Sequence, residues 1–241
     1  MSSGKYGAIS GAVARMQMLN NISVHLAAAK TPGYKKGMVT FEATLGEASS
    51  GMATRATNYS RLTTPTIDFT PGHIEYSGDP LDLAINGEGF FQIQLPDGSY
   101  GFTRKGNFQL NGEGKLVDTN GYPVMGTGGE LNLPNPDVDI SSDGSIWNDG
   151  EKVGQVALFS FPDTSILQRS GNEMFQASDG SQPEALPNPQ MIQRNLEASN
   201  IDMMKSMVKM TTNLRAFEAT QKALKIYSDM DGKAAELGLV Q

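Results

Sequence analysis

The spacing of apolar residues at the two ends of the chain is the feature that most constrains its fold. Near the N-terminus, within residues 6–29, a stripe recurs at alternating steps of three and four, at Ile9, Ala12, Met16, Leu19, Ser23 and Leu26. Near the C-terminus the same rhythm passes through Met203, Met207, Met210, Leu214, Phe217, Gln221 and Leu224, and continues to Tyr227 and Met230. Such spacing places side chains on one face of a helix, so it predicts two terminal helices with seams like those of a coiled coil.

Local signals predict the limits of the C-terminal helix. Ser199 or Asn200 is placed to cap its N-terminus, Asp202 would lie in its first turn, and Asp231-Gly232 should stop it. A helix over residues 201–230 would be roughly 45 Å long. Its apolar face therefore needs another helix, which either the same chain or a neighbouring copy could supply.

Between the two helices the sequence is typical of β-structure interrupted by glycine turns. Asn-Gly and Asp-Gly pairs indicate hairpins, because tight primed turns need positive φ, and they occur at Asn86-Gly87, Asp97-Gly98, Asn111-Gly112, Asn120-Gly121, Asp143-Gly144, Asp149-Gly150 and Asp179-Gly180. Short candidate strands lie among them, at residues 82–85, 90–95, 102–103, 108–110, 115–117, 153–161 and 174–176. This middle region predicts a compact antiparallel domain.

The predicted fold is mainly β with helical termini, an α+β class in which the N- and C-terminal helices form a coiled-coil-like rod region and a central antiparallel β-domain lies between them. The predicted organisation has five parts: an N-terminal helical assembly segment (1–36), an extended connector (37–77), the β-domain (78–182), a proline-containing return linker (183–195) and a C-terminal helical assembly segment (196–241).

Composition argues against several classes of function. A formal net charge of -7 disfavours nucleic acid as a partner, since a nucleic-acid-binding face must be densely basic, and the adjacent basic residues Lys35 and Lys36 are expected in a solvated loop. The absence of cysteine excludes thiolate catalysis, zinc-thiolate sites and disulfides. No stretch approaches the roughly 18 consecutive apolar residues of a membrane-spanning helix, and neither membrane insertion nor a cleavable signal peptide is expected.

Candidate catalytic residues are few. The two histidines, His25 and His73, are expected in packing, capping or turn positions. Carboxylates that could act in pairs lie near predicted turns, where hydrogen bonding to the backbone is their commoner role; they are Asp79 with Asp82 and Glu88 with Glu113. We therefore expect no enzyme, and we assign no catalytic residue, metal ligand or cofactor.

Several segments resemble the flagellar basal-body rod and hook protein family. PLDLAINGEGFF (80–91) and FTRKGNFQLNGEGKLVDTNGYPV (102–124) are similar to its central signature. TPGYK (31–35), LEASNI (196–201) and RAFE (215–218) agree with the family in order and position. The resemblance covers essentially the whole chain.

Within that family, the opening YGAISGAVARMQMLNNIS and the ending MDGKAAELG are most similar to proteins of the proximal rod. The family usually carries an asparagine-rich stretch before TPGYK. This chain departs from it at Val24, His25 and Ala28, which puts in doubt the contacts made by those asparagines.

The resemblance implies a structural subunit of the rod that crosses the periplasm. It also implies export through the flagellar type III apparatus without signal cleavage, and partners that are other rod subunits and further copies of the chain. The residues assigned to the assembly interface are Ile9, Ala12, Met16, Leu19, Leu26, Met203, Met207, Met210, Leu214, Phe217 and Leu224. Two alternatives stay open: a distal rod subunit, and a carbohydrate-binding β-domain with coiled-coil oligomerising ends.

Overall fold

The computed structural model describes residues 3–39, 41–45, 58–62, 66–177 and 181–238. The chain divides into two compact units. Unit 1 comprises Met1–Ala27, Gly37–Thr66 and Asp202–Gln241, and unit 2 comprises Ala28–Lys36 and Ile67–Ile201. The segments leading out of the first helix and into the second therefore belong to unit 2.

Unit 1 contains both helices, α1 (Ser3–Ala27) and α2 (Met203–Gly238). The short strand β1 (Gly37–Met38) follows α1, and β2 (Phe41–Leu45) pairs in antiparallel fashion with β3 (Asn58–Leu62). Helix α1 packs against α2 and also against β3. The two predicted helices are confirmed, whereas the sequence did not indicate the β2–β3 hairpin.

Helix α2 differs from its predicted limits at both ends. It begins at Met203, and it continues through Asp231-Gly232 to Gly238. The expected stop is wrong because Gly232 keeps a negative, helical φ; a glycine inside a helix costs about 1 kcal/mol relative to alanine but does not by itself end the helix.

Unit 2 is built mainly from short antiparallel strands. They begin with β4 (Thr66–Ile67), at the boundary with unit 1, and continue as β5 (Ile74–Tyr76), β6 (Leu83–Ile85), β7 (Phe90–Gln94), β8 (Tyr100–Thr103), β9 (Gln109–Leu110), β10 (Leu116–Val117), β11 (Met125–Gly126), β12 (Gly129–Glu130), β13 (Asp139–Ile140), β14 (Ser145–Asn148), β15 (Glu151–Gln155), β16 (Leu158–Ser160), β17 (Leu167–Arg169), β18 (Phe175–Ala177), β19 (Glu184–Ala185), β20 (Met191–Gln193) and β21 (Asn195–Glu197). A 3-10 turn, Thr164–Ile166, precedes β17.

The largest sheet has six strands in the order β17-β18-β8-β7-β16-β19. A second sheet has the order β13-β14-β15, and four two-stranded pairs complete the unit, namely β9–β10, β11–β12, β6–β20 and β5–β21. Every one of these pairings for which a register is given is antiparallel, as the turn pattern predicts.

Strand β7 lies between two hydrophobic cores. Successive side chains of a strand point to opposite faces, so Phe91 joins a large aliphatic core with Leu83 and Ile146, whereas Phe90 joins an aromatic core with Phe175. The consecutive apolar residues of β7 thus reflect burial on both faces rather than a break in strand pattern.

Most of the predicted turns are confirmed. Asp97-Gly98 joins β7 to β8, and Asp149-Gly150 joins β14 to β15 with φ values of 50° and 85°, as a primed turn requires. Asn86-Gly87 makes no hairpin, because it links β6 and β7, which belong to different sheets. The predicted strand 153–161 is two strands, β15 and β16, in different sheets, and Asp179-Gly180 lies outside the described residues.

Candidate functional site

The predicted interface residues of α2 divide between two sides of the helix. The packed stripe of α2 is half-buried or buried and consists of Ser206, Met210, Asn213, Phe217, Thr220 and Leu224. The open stripe of α2 is exposed and consists of Met203, Met207 and Leu214. Met207 is one position beyond Ser206, and Leu214 one beyond Asn213, so the two stripes are about 100° apart around the helix.

Helix α1 shows the same division. Its packed stripe is half-buried or buried and consists of Ala12, Leu19, Ile22 and Leu26. Its open stripe is exposed and consists of Ile9, Val13, Met16 and Val24. The single stripe expected from the sequence therefore mixes residues from two faces, because steps of three and four are compatible with either face.

A hydrogen bond joins the two helices directly. The side-chain amide of Asn213 donates to the backbone carbonyl of Arg15 over 2.9 Å. Asn213 is 6% exposed, and it is the only buried residue among the α2 side chains that the structure describes. The apolar spacing did not indicate Asn213, because it predicts the seam one position away, at Leu214.

The cap of α2 is Asp202. Its Oδ1 accepts a hydrogen bond from the backbone N–H of Lys205 over 2.9 Å, which satisfies one of the free donors of the first turn. This backbone hydrogen bond is the main cause that lowers the pKa of Asp202 below 3.8. The expected caps Ser199 and Asn200 belong to unit 2 instead. There the side-chain amide of Asn200 donates a hydrogen bond to the backbone carbonyl of Asp68.

A buried ionic cluster lies in unit 2. The Nζ of Lys35 is 2.5 Å from Oε1 of Glu197, and Nη1 of Arg104 is 3.3 Å from its Oε2. All three side chains are almost completely buried, and Lys35 has no exposed surface. The expectation of a solvated loop at Lys35 is wrong, because the side chain reaches a carboxylate supplied by a distant part of the chain.

Backbone groups also form hydrogen bonds with the charged side chains of this cluster. Lys35 also donates to the carbonyl of Thr70 over 2.9 Å, and the N–H of Gly72 donates to Glu197 over 2.9 Å. Arg104 donates to the carbonyl of Gly87 over 2.8 Å. Burial lowers the pKa of Lys35 and of Arg104, and the Glu197 carboxylate opposes both shifts.

The cluster unites segments that are far apart in the sequence. Lys35 belongs to TPGYK, Arg104 to the FTRKGNF segment and Glu197 to LEASNI. Arg169 adds a further link, because its guanidinium donates to the carbonyl of Lys35 and lies 4.5 Å from the ring centroid of Tyr34. Three of the sequence segments that resemble the rod family thus meet at one buried carboxylate.

The candidate catalytic groups make structural contacts. Nε2 of His25 lies 3.1 Å from the backbone nitrogen of Gly37, from which it accepts a hydrogen bond. His73 pairs with Glu75 at an exposed position, and Asp79 accepts from the backbone N–H of Leu81. In the described ranges, no three His, Asp or Glu side chains are grouped as a metal site would require.

Neither helix in the described part of the chain is long and apolar enough to cross a bilayer.

Comparison with known proteins agrees with these observations. Residues 84–148 match the family described as flagellar hook protein FlgE/F/G D1 domain, and residues 192–237 match that of the flagellar basal body rod FlgEFG protein C-terminal. The chain is 32% identical to the flagellar basal-body rod protein FlgF of Salmonella typhimurium, over 93% of this chain and 94% of the relative. It is 31% identical to FlgG of Buchnera aphidicola subsp. Acyrthosiphon pisum, over 95% and 96% respectively. The chain therefore belongs to the family of flagellar basal-body rod proteins.

Proposed function

We propose that this chain is a structural subunit of the flagellar rod and that the open stripes of α1 and α2 bind the helices of neighbouring rod subunits. Its relatives carry the name of flagellar basal-body rod protein, and the chain is a structural protein of that kind rather than an enzyme. The chain therefore acts by assembling with other subunits and not by catalysing a reaction.

The observation that carries the proposal is that each helix keeps an apolar stripe beyond the one it uses inside the chain. On α1, Met16 is 56% exposed, and on α2, Met207 is 51% exposed. Complete burial of one such side chain contributes about 1.5–3 kcal/mol. Several of them on two helices offer enough apolar surface for association, whereas the internal helix pair leaves that surface in water.

The arrangement also suits a filament. The open stripe of α1 and that of α2 are different surfaces, so a contact between α1 of one copy and α2 of the next would be head-to-tail. Head-to-tail contacts that do not close into a ring generate a helical filament. A rod needs this kind of repeating, apolar contact.

We assign the chain more finely to the proximal rod, within the part of the flagellum that crosses the periplasm. We also propose that it is exported through the flagellar type III apparatus without cleavage of a signal peptide. The terminal segments support this assignment by their resemblance to proximal rod proteins. Relatives named FlgF and FlgG match at nearly equal identity, so overall similarity does not favour either of these names. Crosslinking this chain to its neighbours in isolated basal bodies tests the assignment, and neighbours confined to the distal rod would contradict it.

The proposed interface is tested by changing the open stripes only. Replacing Met16 and Met207 together by Gln should prevent rod formation in cells whose only copy of this protein is the variant. The purified variant should retain the circular dichroism and Trp147 fluorescence of the original chain. Lys209→Gln, at an exposed position of α2 outside the open stripe, is the matched control and should leave rods intact. Normal rods with the double variant would contradict the proposal.

A carbohydrate-binding role has one structural feature in its favour. The only tryptophan of the chain, Trp147, is 39% exposed and lines a cavity of about 430 Å³ together with Asp137, Asp139 and Asp149. Binding to a glycan array that disappears with Trp147→Ala would support this second function. Unchanged rod assembly in the same variant would show that the two functions are separate.

A further inference from the structure

We propose that the exposed methionines of the open stripes are oxidation sites in the free subunit, and that their conversion to methionine sulfoxide by a peroxide prevents assembly. The residues that carry this effect are Met16 on α1 and Met203 and Met207 on α2. The inference rests on the proposed function, because it assumes that the open stripes are the assembly surface.

The methionines of the two units differ in exposure. Within the part of the chain that the structure describes, the exposed methionines all belong to unit 1, and they are Met16, Met18, Met38, Met203, Met204, Met207 and Met230. In unit 2, Met174 and Met191 are buried and Met125 is half-buried. The thioether sulfurs therefore form an accessible set in unit 1 and a protected set in unit 2.

Exposure decides which sulfur atoms a peroxide can reach. The chain has no cysteine, so the methionine thioethers are its only sulfur atoms. On α2, Met204 is 74% exposed and Met207 is 51% exposed, whereas Met210 is half-buried. A peroxide in solution should therefore oxidise the exposed positions of α2 before Met210, and well before Met174 in unit 2.

The reaction transfers one oxygen atom to sulfur. The thioether sulfur attacks one oxygen of hydrogen peroxide, so that an S–O bond forms while the O–O bond breaks. The sulfur loses two electrons and the peroxide gains them. The departing hydroxide takes the proton from the transferred hydroxyl and leaves as water. An apolar side chain thereby becomes a polar sulfoxide, which methionine sulfoxide reductases can convert back to the thioether.

A sulfoxide on an open stripe removes what the stripe offers to a neighbour. Burying its oxygen without a hydrogen-bond donor is unfavourable, and leaving it in water forgoes the apolar contact. Each sulfoxide at a contact should weaken association roughly tenfold to a hundredfold, which is the contribution of one buried apolar side chain. Ile9, Val13 and Val24 of the α1 open stripe contain no sulfur, so the methionines alone make the surface sensitive to peroxide.

The same geometry confines the sensitivity to the free subunit. Met16 and Met207 are exposed in the isolated chain, and a neighbouring subunit bound to the open stripes would cover them. Oxidation before assembly would then exclude a subunit from the rod, whereas a subunit that is already assembled would be protected.

The first test maps oxidation in the purified full-length chain. After treatment with hydrogen peroxide, peptide mapping by mass spectrometry should show sulfoxide at Met204 and Met207 several-fold earlier than at Met210. Met174 and Met191 should stay unoxidised while the circular dichroism of the chain is unchanged. Equal rates at the exposed and the buried methionines would overturn the assignment of these sites.

The second test asks whether oxidation of the open stripes limits assembly. Replacing Met16, Met203 and Met207 together by Leu keeps these positions apolar and removes their sulfur. Rods are counted in cells grown with and without a sublethal concentration of hydrogen peroxide, and each strain is compared with itself. The ratio should fall several-fold for the original chain and stay near one for the leucine variant. The same fall in both strains would overturn the inference.

A matched control removes exposed methionines outside the open stripes. Replacing Met18, Met38 and Met230 together by Leu should leave the fall in rod number as large as in the original chain. Protection by this control variant equal to that by the open-stripe variant would overturn the role of the open-stripe methionines.

A third measurement needs no variant. In isolated rods treated with hydrogen peroxide, Met16 and Met207 should oxidise several-fold more slowly than in the free chain, and equal rates would overturn their protection by assembly. Rods that form normally when Met16 and Met207 are both replaced by Gln would overturn the proposed function itself. Rods that are lost in that Gln variant but resist peroxide in the original chain would overturn only the effect of oxidation.

Discussion

Glu197 joins several segments of unit 2 that are far apart in the sequence. It faces two buried cations, Lys35 and Arg104, and it also accepts from the N–H of Gly72. Buried charges are tolerated when they are paired and hydrogen-bonded, and removing one partner leaves an uncompensated charge in a medium that solvates it poorly. The cluster therefore makes unit 2 sensitive to single substitutions at a position that looks like an ordinary surface residue in the sequence.

Replacing Glu197 by Gln should destabilise unit 2 by about 3–5 kcal/mol, because two cations would stay buried without their anion. The measurement is urea unfolding followed by Trp147, which lies in β14 of unit 2. Glu75→Gln is the control, since that carboxylate pairs with His73 on the surface, where such pairs contribute about 0–1 kcal/mol. Equal losses for the two variants would contradict the structural role of the cluster.

The same variant should show a characteristic dependence on pH. Burial lowers the pKa of Lys35 in the folded protein, and Glu197 raises it; without Glu197, the pKa falls further. Between that folded pKa and the unfolded value near 10.5, the unfolded chain binds more protons, so stability rises with pH. The deficit of Glu197→Gln relative to the original chain should therefore decrease as pH rises toward 10. A deficit independent of pH would show that Lys35 is not its source.

Gly33 is expected to reject any side chain. Its φ is +68°, and a Cβ there would lie 2.4 Å from the backbone nitrogen of Lys105. Gly33→Ala should lower the free energy of unfolding clearly more than Gly121→Ala. At Gly121, φ is +84° and the added Cβ would contact no atom, so only about 1–2 kcal/mol of left-handed backbone strain applies. Urea unfolding of both variants measures the difference, and equal effects would exclude a close approach of backbone at Gly33.

At the scale of the elements, α2 illustrates how one helix can serve two contacts. Its packed stripe is covered within the chain's own helix pair, and its open stripe is the surface that we propose for assembly. A helix of 36 residues is about 54 Å long, so both stripes extend over several turns. The start of such a helix needs a cap, which Asp202 supplies.

Asp202→Ala should loosen the first turn of α2 and reduce the magnitude of the negative ellipticity at 222 nm. Because the folded pKa of Asp202 is below its ordinary value, its stabilisation is complete above about pH 4 and disappears as pH falls through the folded pKa. The difference in ellipticity between the original chain and the variant should therefore be present at pH 6 and disappear toward pH 2. Asp229→Ala, far from the helix start, is the control and should show no such difference.

At the scale of the whole molecule, the division into units does not follow the sequence order. Ala28–Lys36 lies between two segments of unit 1 but belongs to unit 2, where Lys35 pairs with Glu197 and Arg169 contacts Tyr34. The short peptide after α1 is thus part of the β-structured unit. Its place could not be derived from the local sequence pattern.

A fragment covering residues 28–201 should consequently be more stable than one covering residues 67–201. The shorter fragment lacks Lys35 and Tyr34 and leaves Glu197 with Arg104 as its only cationic partner of the cluster. Urea midpoints from Trp147 fluorescence measure the difference, and 28–201 carrying Lys35→Met serves as an intermediate control. Identical midpoints for the two fragments would show that the 28–36 segment contributes nothing to unit 2.

Much of the fold could be predicted because its signals are local. The spacing of three and four identified α1 and α2, and pairs such as Asp97-Gly98 and Asp149-Gly150 identified hairpins, since positive φ restricts the residues that can form tight turns. Asn86-Gly87 and Asp231-Gly232 were misleading for the same reason, because a local preference for a turn does not say which strands will pair or whether a helix will continue.

The sequence by itself determined that both terminal segments are helical, that the structure between them is antiparallel β, and which family the chain belongs to. All three depend on residue order over short distances. Only the tertiary structure decided which stripe of each helix is packed, that Asn213 rather than Leu214 meets α1, and that Lys35 is buried against Glu197. These outcomes depend on contacts between residues far apart in the chain. For α2, steps of three and four residues are compatible with either stripe, so the spacing alone does not say which stripe packs against α1.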